Sequence, residues 1–216
     1  TRQRLMELDH LNQISEALRE ATTSQEMIPM FLEHATRALG SEHSALLIFQ
    51  PGSRTMRVEQ ARGALAPFRD VILPVNDLVN RSPDSSKTVC VTPDLHQLSI
   101  NFPYEIPASL GPLLALPFQS AAEVLGVLVL ARERTSPEEP GREYQPGEIN
   151  LAKTVADIGA NALQRARFFE QIQVRVQRLS ILHEIDLAVS ASLSISITLD
   201  LILDQIVTQI GIQAAD

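Results

Sequence analysis

Between Glu148 and Ser190 the chain holds no proline and a single glycine, Gly159. Nothing in that stretch stops a helix, so it predicts one of about 40 residues, some 60 Å at 1.5 Å per residue. No single globular domain needs that length. Within it Ala162, Ala166, Phe169, Ile172, Val176, Leu179, Leu182, Ile185 and Val189 recur at steps of three and four. Their mean step of about 3.4 lies close to the 3.5 of a left-handed coiled coil. The stripe implies a second helix and a homodimer, with Arg165, Arg167, Arg175, Arg178, Glu170 and Glu184 as flanking charges. Parallel partners that each also bring Leu5, Leu8 and Leu11 would form a four-helix bundle. The plainer alternative is a helix that covers its own sheet and frays beyond Glu170.

Composition bounds what such a chain does. Its 216 residues are long enough to bury a real core, and 44% hydrophobic with 20% charged residues is ordinary for a globular protein. A formal net charge of −8, with no dense Lys/Arg cluster, argues against nucleic acid, which requires a basic face. One cysteine, Cys90, rules out an internal disulfide and a thiolate-rich zinc site. It fits a reducing compartment, and the cytoplasm is the expected location. The longest apolar run, "VLGVLVLA" from Val124, is far short of the roughly 20 residues a membrane helix needs, so no membrane insertion is expected in this segment.

Ahead of the long helix the period of the pattern changes twice. Leu5, Leu8, Leu11, Ile14, Leu18 and Ala21 have helical spacing. "TSQE" from Thr23 is a capping box that opens a second helix carrying Met27, Ile28, Phe31, Leu32, Ala35 and Leu39, and Gly40 sits where a helix end favours positive φ. Then "SALLIFQ", a "PGSR" turn and "TMRVEQARG" read as strand, turn and strand. "DVILPV" and "KTVCVTP" read as two more strands around the polar "NDLVNRSPDSS". "LLALPFQ" and "EVLGVLVLAR" form the strongest strand pair, apolar enough for a sheet covered on both faces. The Pro-rich "ERTSPEEPGREYQPG" is a surface connection.

The chain also resembles itself. At an offset of 171 residues, Arg4, Leu8, Leu11, Ile14, Ala17, Leu32 and Gly40 fall on Arg175, Leu179, Leu182, Ile185, Ala188, Leu203 and Gly211 without a gap. Helix, hydroxyl-rich break, helix and glycine recur at that one offset, which points to the start of a second copy lacking its sheet. Ile197, Leu199, Ile202, Leu203, Ile206 and Ile210 would be its apolar face. The expected organisation is a domain over 1–172, a connecting helix over 173–193, and the first helix of a truncated second domain over 194–216.

Three phrases in order carry a family resemblance: "TSQEMIPMFLEHATRALGSEHSALLIF", "TVCVTPDL" with Asp94, and "PLLALPFQSAAEVLGVLVLARE" followed by "YQPGEINLAKTVADIGANALQRARFFEQ". They resemble the GAF regulatory domains, in which a hairpin leads through a loop with an aromatic residue, here Tyr144, into a long helix. That helix ends in a phrase matched by Ala166-Arg167-Phe168-Phe169-Glu170. The resemblance implies an α+β fold: an antiparallel sheet of about six strands with helices on both faces, followed by a long C-terminal signalling helix. It implies a sensory, non-catalytic module of a larger signalling protein, of the sensor histidine kinase or nucleotide cyclase type, with an output domain in the same chain.

It also implies a small-molecule pocket on one sheet face, closed by the segment "LPVNDLVNRSPDSSKTVCVTPD". Strand alternation and that segment suggest a lining of Leu46, Ile48, Val75, Asn76, Val79, Val91, Asp94 and Tyr104. Where relatives punctuate the segment with glycine, this chain has Asn76, Leu78, Arg81 and Lys87, which would fill or close a pocket. A closed, purely structural dimerisation module is therefore the second reading. An enzyme is the third: some relatives reduce methionine sulfoxide with pocket cysteines, which a lone Cys90 serves poorly. Cys90, between valines, reads as a small buried hydrophobe rather than a bilin attachment point. The Asn-Lys-Phe-Asp-Glu set of the cyclic-nucleotide-binding members has no placed counterpart. His96 is a surface-loop histidine before it is a haem ligand. His10, His34, His43 and His183 form no short metal-ligand pair. His183-Glu184 resembles a kinase phosphoacceptor pair but lacks the following proline and any ATP-binding segment. The sequence names no cofactor.

Overall fold

In the computed structural model the described residues are 11–19, 21–74, 90–92, 109–121, 123–134 and 141–210. The chain divides into two compact units, Thr1–Phe169 and Glu170–Asp216.

The first unit opens on α1 (11–19), whose Ile14 and Leu18 are buried. Helix α2 (Ser24–Leu39) starts where the capping box places it: Thr23 is extended, and its side chain accepts a hydrogen bond from the Glu26 amide at 3.3 Å. It stops at Gly40, whose φ of 54° is the left-handed conformation a Cβ disfavours. Among the described residues there are six strands, β1 (His43–Phe49), β2 (Thr55–Arg62), β3 (Ile72–Pro74), β4 (Cys90–Thr92), β5 (Leu110–Gln119) and β6 (Val124–Glu133). They form one antiparallel sheet in the order β3-β2-β1-β6-β5-β4. The three-residue strands β3 and β4 lie at its edges, where short strands limit unwanted pairing. The expected α+β fold is the one observed. A 3-10 helix at Gly63–Phe68, absent from the sequence reading, leads out of β2.

Each face of the sheet has its own core. Leu46, Ile48, Leu114, Leu116, Phe118, Leu128 and Leu130 face the three α-helices, joining Phe31 and Leu32 of α2 and Val155, Ala156 and Leu163 of α3 (Pro146–Ile210). Ala45, Leu47, Met56, Val58, Leu113, Ala115, Val127 and Ala131 point the other way, where Leu65 and Phe68 of the 3-10 helix pack on them. Among the described residues, then, α-helical cover lies on one face and the 3-10 turn on the other. On the helical side α3 approaches closely through small residues. Gly159 lies against the Phe31 ring, where an added Cβ would overlap the ring carbons. That contact accounts for the one glycine in the long helical run.

The second unit is the distal part of α3. The helix is longer than expected, 65 residues, and it passes without interruption through Ser190–Ser196, where a break was anticipated. Serine and isoleucine each cost a helix only a few tenths of a kcal/mol, and neither proline nor glycine is present to stop it.

Candidate functional site

Two regions of the first unit carry chemistry beyond packing: the sheet face away from the α-helices, and the place where β6 hands over to α3.

On the first, the register lines up small side chains. Ala61 pairs with Ala45, Ala45 with Val129, Val129 with Ala115, and Ala115 with the backbone of Cys90. Cross-strand partners share a face, so Ala61 and Ala45 on one side of Val129 and Ala115 on the other form a line of small side chains across the sheet, between taller neighbours such as Leu47 and Leu113. Beside that row stands His43, whose β6 partner is Ala131. Its Nδ1 accepts a hydrogen bond from the Ala64 amide at 3.1 Å. In the neutral ring the proton therefore sits on Nε2, which is buried and has no hydrogen-bond partner among the described residues. A buried orphan donor is costly and is often kept for a purpose beyond stability. Sequence reasoning missed it; "EHSALL" marks a strand start, and only the pairing shows which way His43 points.

The second region is organised by Arg132, near the end of β6 and only 5% exposed. A guanidinium has five N–H donors, and all five are used. Nε donates to the Gly40 carbonyl at 3.3 Å, and Nη2 to the Leu39 carbonyl at 3.3 Å and to Glu148 Oε1 at 2.9 Å. Nη1 donates to the carbonyls of Arg142 and Glu143 at 3.2 and 3.1 Å. The guanidinium carbon sits 4.2 Å from the centre of the Tyr144 ring. Tyr144 is itself buried, and its hydroxyl is 2.9 Å from Ser41 Oγ. Burial pushes the Tyr144 phenol up to about 12, so it stays protonated. Arg132 thus satisfies two terminal carbonyls of α2, fixes the loop before α3 and grips the first turn of α3.

That turn is built for such a grip. Pro146 takes the first helical position, where its missing N–H costs nothing. Glu148 reaches back to accept from the Gln145 amide at 2.8 Å and from Arg142 Nη2 at 2.7 Å. Burial alone would raise the Glu148 carboxyl. The hydrogen bonds from Arg132 and the Gln145 amide, with the charges of Arg132 and Arg142, win and hold it below its ordinary value.

The expected site residues divide. Leu46 and Ile48 do share a face, but it is the helix-covered one, where both are buried in the α2–α3 core. Alternation fixes which residues go together and leaves open which side they take. Val91 lies in β4, paired with Leu114; Val75, Asn76, Val79, Asp94 and Tyr104 lie outside the described residues. On α3, Phe169, Ile172, Val176, Leu179 and Leu182 are exposed, between 48% and 66%. Ala162 and Ala166 are buried in the first unit, so they are unavailable to a partner helix. A 3.5-residue count carried the stripe backwards over residues that the sheet already uses. Among the described residues no three His, Cys, Asp or Glu side chains are grouped to hold a metal ion, and no helix is long and apolar enough to cross a membrane.

Comparison with known proteins agrees with this architecture. No curated protein sequence matches the chain. Among solved structures, the photosensory core module of the Stigmatella aurantiaca phytochrome aligns with a TM-score of 0.60 at 13% identity, over 82% of this chain and 40% of that one. The GAF domain of the Acinetobacter phosphoenolpyruvate-protein phosphotransferase aligns at 0.57 and 10% identity, over 75% and 95% of the two chains. The second GAF domain of Mycobacterium smegmatis DevS aligns at 0.52 and 18%, over 68% and 96%. At such identities these likenesses establish the fold. The model of the GAF domain family matches residues 24–163, from the first residue of α2 into α3, and by that match the chain belongs to the GAF domain family.

Proposed function

We propose that this chain is a non-catalytic sensory module of a larger cytoplasmic signalling protein, of the sensor histidine kinase or nucleotide cyclase type. It responds to a small molecule at the sheet face away from the α-helices and relays the response through α3, paired in a homodimer, to an output domain of the same chain. The observation that carries this reading is the handover at Arg132. One buried side chain joins β6, the end of α2 and the first turn of α3, so a shift of the strands is passed to the helix. Helices that pair have few alternative packings, which turns small shifts into discrete states.

The proposed seat for the ligand is the row Ala45, Ala61 and Ala115, with the His43 Nε2–H as donor to a carbonyl or carboxylate. Val75, Asn76, Val79, Asp94 and Tyr104 remain its proposed surround, and Leu46, Ile48 and Val91 leave the set, Val91 because its cross-strand partner Leu114 belongs to the helix-covered face. The repeat at an offset of 171 residues supports a tandem arrangement, with residues 194–216 belonging to a second domain of the same kind.

The test is a thermal-shift screen of small metabolites and nucleotides, since a ligand that binds only the folded state raises its melting temperature. A hit should be lost in Ala115→Trp and weakened in His43→Phe. A hit that survives Ala115→Trp unchanged places the ligand elsewhere. The second reading, a dimerisation module with a closed pocket, is favoured by the burial of Leu113 and Ala131, both 0% exposed on that face. Under it the screen finds nothing while the dimer persists.

A further inference from the structure

We infer, on the tandem reading above, that the distal part of α3 is a switch with two forms. In one it is the straight helix of this structure. In the other it folds back within Ser190–Thr198, as the first unit folds back between α1 and α2.

The offset of 171 residues sets five apolar residues of the first unit against five of α3. Ile14 and Leu18 of α1, with Ile28, Phe31 and Leu32 of α2, fall on Ile185, Val189, Leu199, Ile202 and Leu203. The first five are all buried, none more than 4% exposed, in one cluster on the helical side of the sheet. Their counterparts on α3 are all exposed, between 49% and 57%. One pattern thus stands in two environments. In the first unit α1 runs to residue 19, Thr23 is extended and α2 starts at Ser24, which brings the five residues together. At the equivalent place, from Ser190 to Ile195, α3 does not stop. Five large apolar side chains in water favour any arrangement that covers them, and folding back covers them with one another.

The second observation is local. From Ser190 to Thr198 the chain reads "SASLSISIT", with hydroxyl and apolar residues in strict alternation over nine positions. A period of two gathers apolar residues on one side of an extended chain and scatters them to opposite sides of a helix. Serine and threonine hydroxyls compete with a helix for backbone hydrogen bonds, and Ser, Ile and Thr all rank below alanine as helix formers. The helix is therefore weakest where the repeat puts the turn.

The two forms exclude each other because they use the same side chains. Ile185 and Leu203 are 18 residues apart, about five turns, so a straight helix carries them on one side, with Val189 and Leu199 within about 40°. There they are open to a second helix laid alongside. Folded back, they face one another and that helix loses its seat. Whatever pairs with the straight form holds it straight, and whatever covers the five residues bends it. A relay helix with such a break passes on one of two directions rather than a graded tilt.

Two spin labels decide between one form and two. In a Cys90→Ser background, His183→Cys with Thr208→Cys spans 25 residues, about 38 Å in a straight helix. Labelled chains diluted in unlabelled ones report only distances within one chain. Asn12→Cys with Arg37→Cys, the same positions in the first unit, supplies the folded-back distance. The α3 pair should give two distances, one near the straight value and one matching the first-unit pair. A single long distance overturns the inference. Ser192→Ala, Ser194→Ala and Ser196→Ala together should lower the short-distance population about tenfold, the summed preference of helices for alanine over serine. An unchanged population means that the chain does not turn there, and overturns it as well. Ile185→Asp with Leu203→Asp should abolish the short distance, whereas Leu187→Asp, whose counterpart Glu16 is exposed, should spare it. Equal loss in both refutes a fold-back of the α1–α2 kind. The tandem reading is tested separately: residues 182–211 grafted in place of 11–40 should fold on the first unit's sheet. A graft that does not melt cooperatively counts against a second domain, while the label distances still decide the switch.

Discussion

The two ends of α3 use opposite kinds of side chain. From Pro146 to Phe169 its buried positions are mostly small: Ala152, Ala156, Gly159, Ala160, Ala162 and Ala166. Beyond Glu170 its exposed positions include large apolar groups such as Ile172, Val176, Leu179, Leu182, Ile185 and Leu187. Small residues where the helix is covered allow the helix axis to come close to the Phe31 ring and the sheet. Close approach fixes direction, because neighbouring rings and backbone cannot yield. Large residues in water have the opposite meaning. Each forgoes roughly 1.5–3 kcal/mol relative to burial, so a stretch dense in them is a surface to be covered. The proximal half is held by its neighbours; the distal half offers an apolar surface.

Breaking the proximal packing should have the largest effect. Arg132→Met removes five hydrogen bonds, leaves the terminal carbonyls of α2 without their donor, and leaves Glu148 with the exposed Arg142 as its remaining cation. Losing one partner of a largely buried ion pair costs about 3–5 kcal/mol, and urea denaturation should show a loss of that order; under about 1 kcal/mol would mean that Arg132 does not hold the junction. Gly159→Ala comes next. The added methyl strikes the Phe31 ring, and overpacking costs about 1–3 kcal/mol, partly offset by about 1 kcal/mol of gained helix propensity. A more stable variant would show that α3 stands off from α2.

Acid should loosen the same junction by less. The Glu148 carboxyl is held below its ordinary value of 4.5 in the folded state. Its contribution is therefore complete above the unfolded value and is lost as pH falls through the lower folded one. Wild type should lose stability relative to Glu148→Gln as pH drops below about 4.5. Parallel pH curves for the two proteins would remove Glu148 from the account. The smallest effect on stability should come from the distal half. Val176→Glu with Leu179→Glu should leave the melting of the first unit within about 0.5 kcal/mol of wild type, as surface changes do. It should nonetheless convert dimers to monomers in sedimentation. Unfolding of the domain would mean that these residues belong to its core.

Much of this molecule was legible because its signals are local. "TSQE" and Gly40 fix the ends of α2 through hydrogen bonds and dihedrals that span only a few residues. The apolar runs of β5 and β6 would suit a strand or a helix by content alone, but the short turn between them brings them together as a hairpin. The ordered phrases of the GAF resemblance were enough for the family. The 3-10 helix was not legible: "GALAPF" has no period, and it forms because Leu65 and Phe68 find the far face of the sheet while the Ala64 amide finds His43.

The sequence by itself determined the helices, the strands, their order and the side chains that share a face. It determined that α3 would outrun its domain, since the absence of proline and the spacing of apolar residues are properties of the chain alone. Tertiary structure decided which face was which. Leu46 and Ile48 went under the helices and Ala45 and Leu47 to the other side, because β1 is a central strand and both of its faces are apolar. It decided that Ala162 and Ala166 belong to the sheet rather than to a partner. It also decided that Arg132, at the end of β6 and followed by Arg134 and Arg142, is the buried one. Its partners come from the end of α2, the loop before α3 and the first turn of α3, and only the folded chain brings carbonyls as far apart in sequence as Leu39 and Glu143 within reach of one guanidinium.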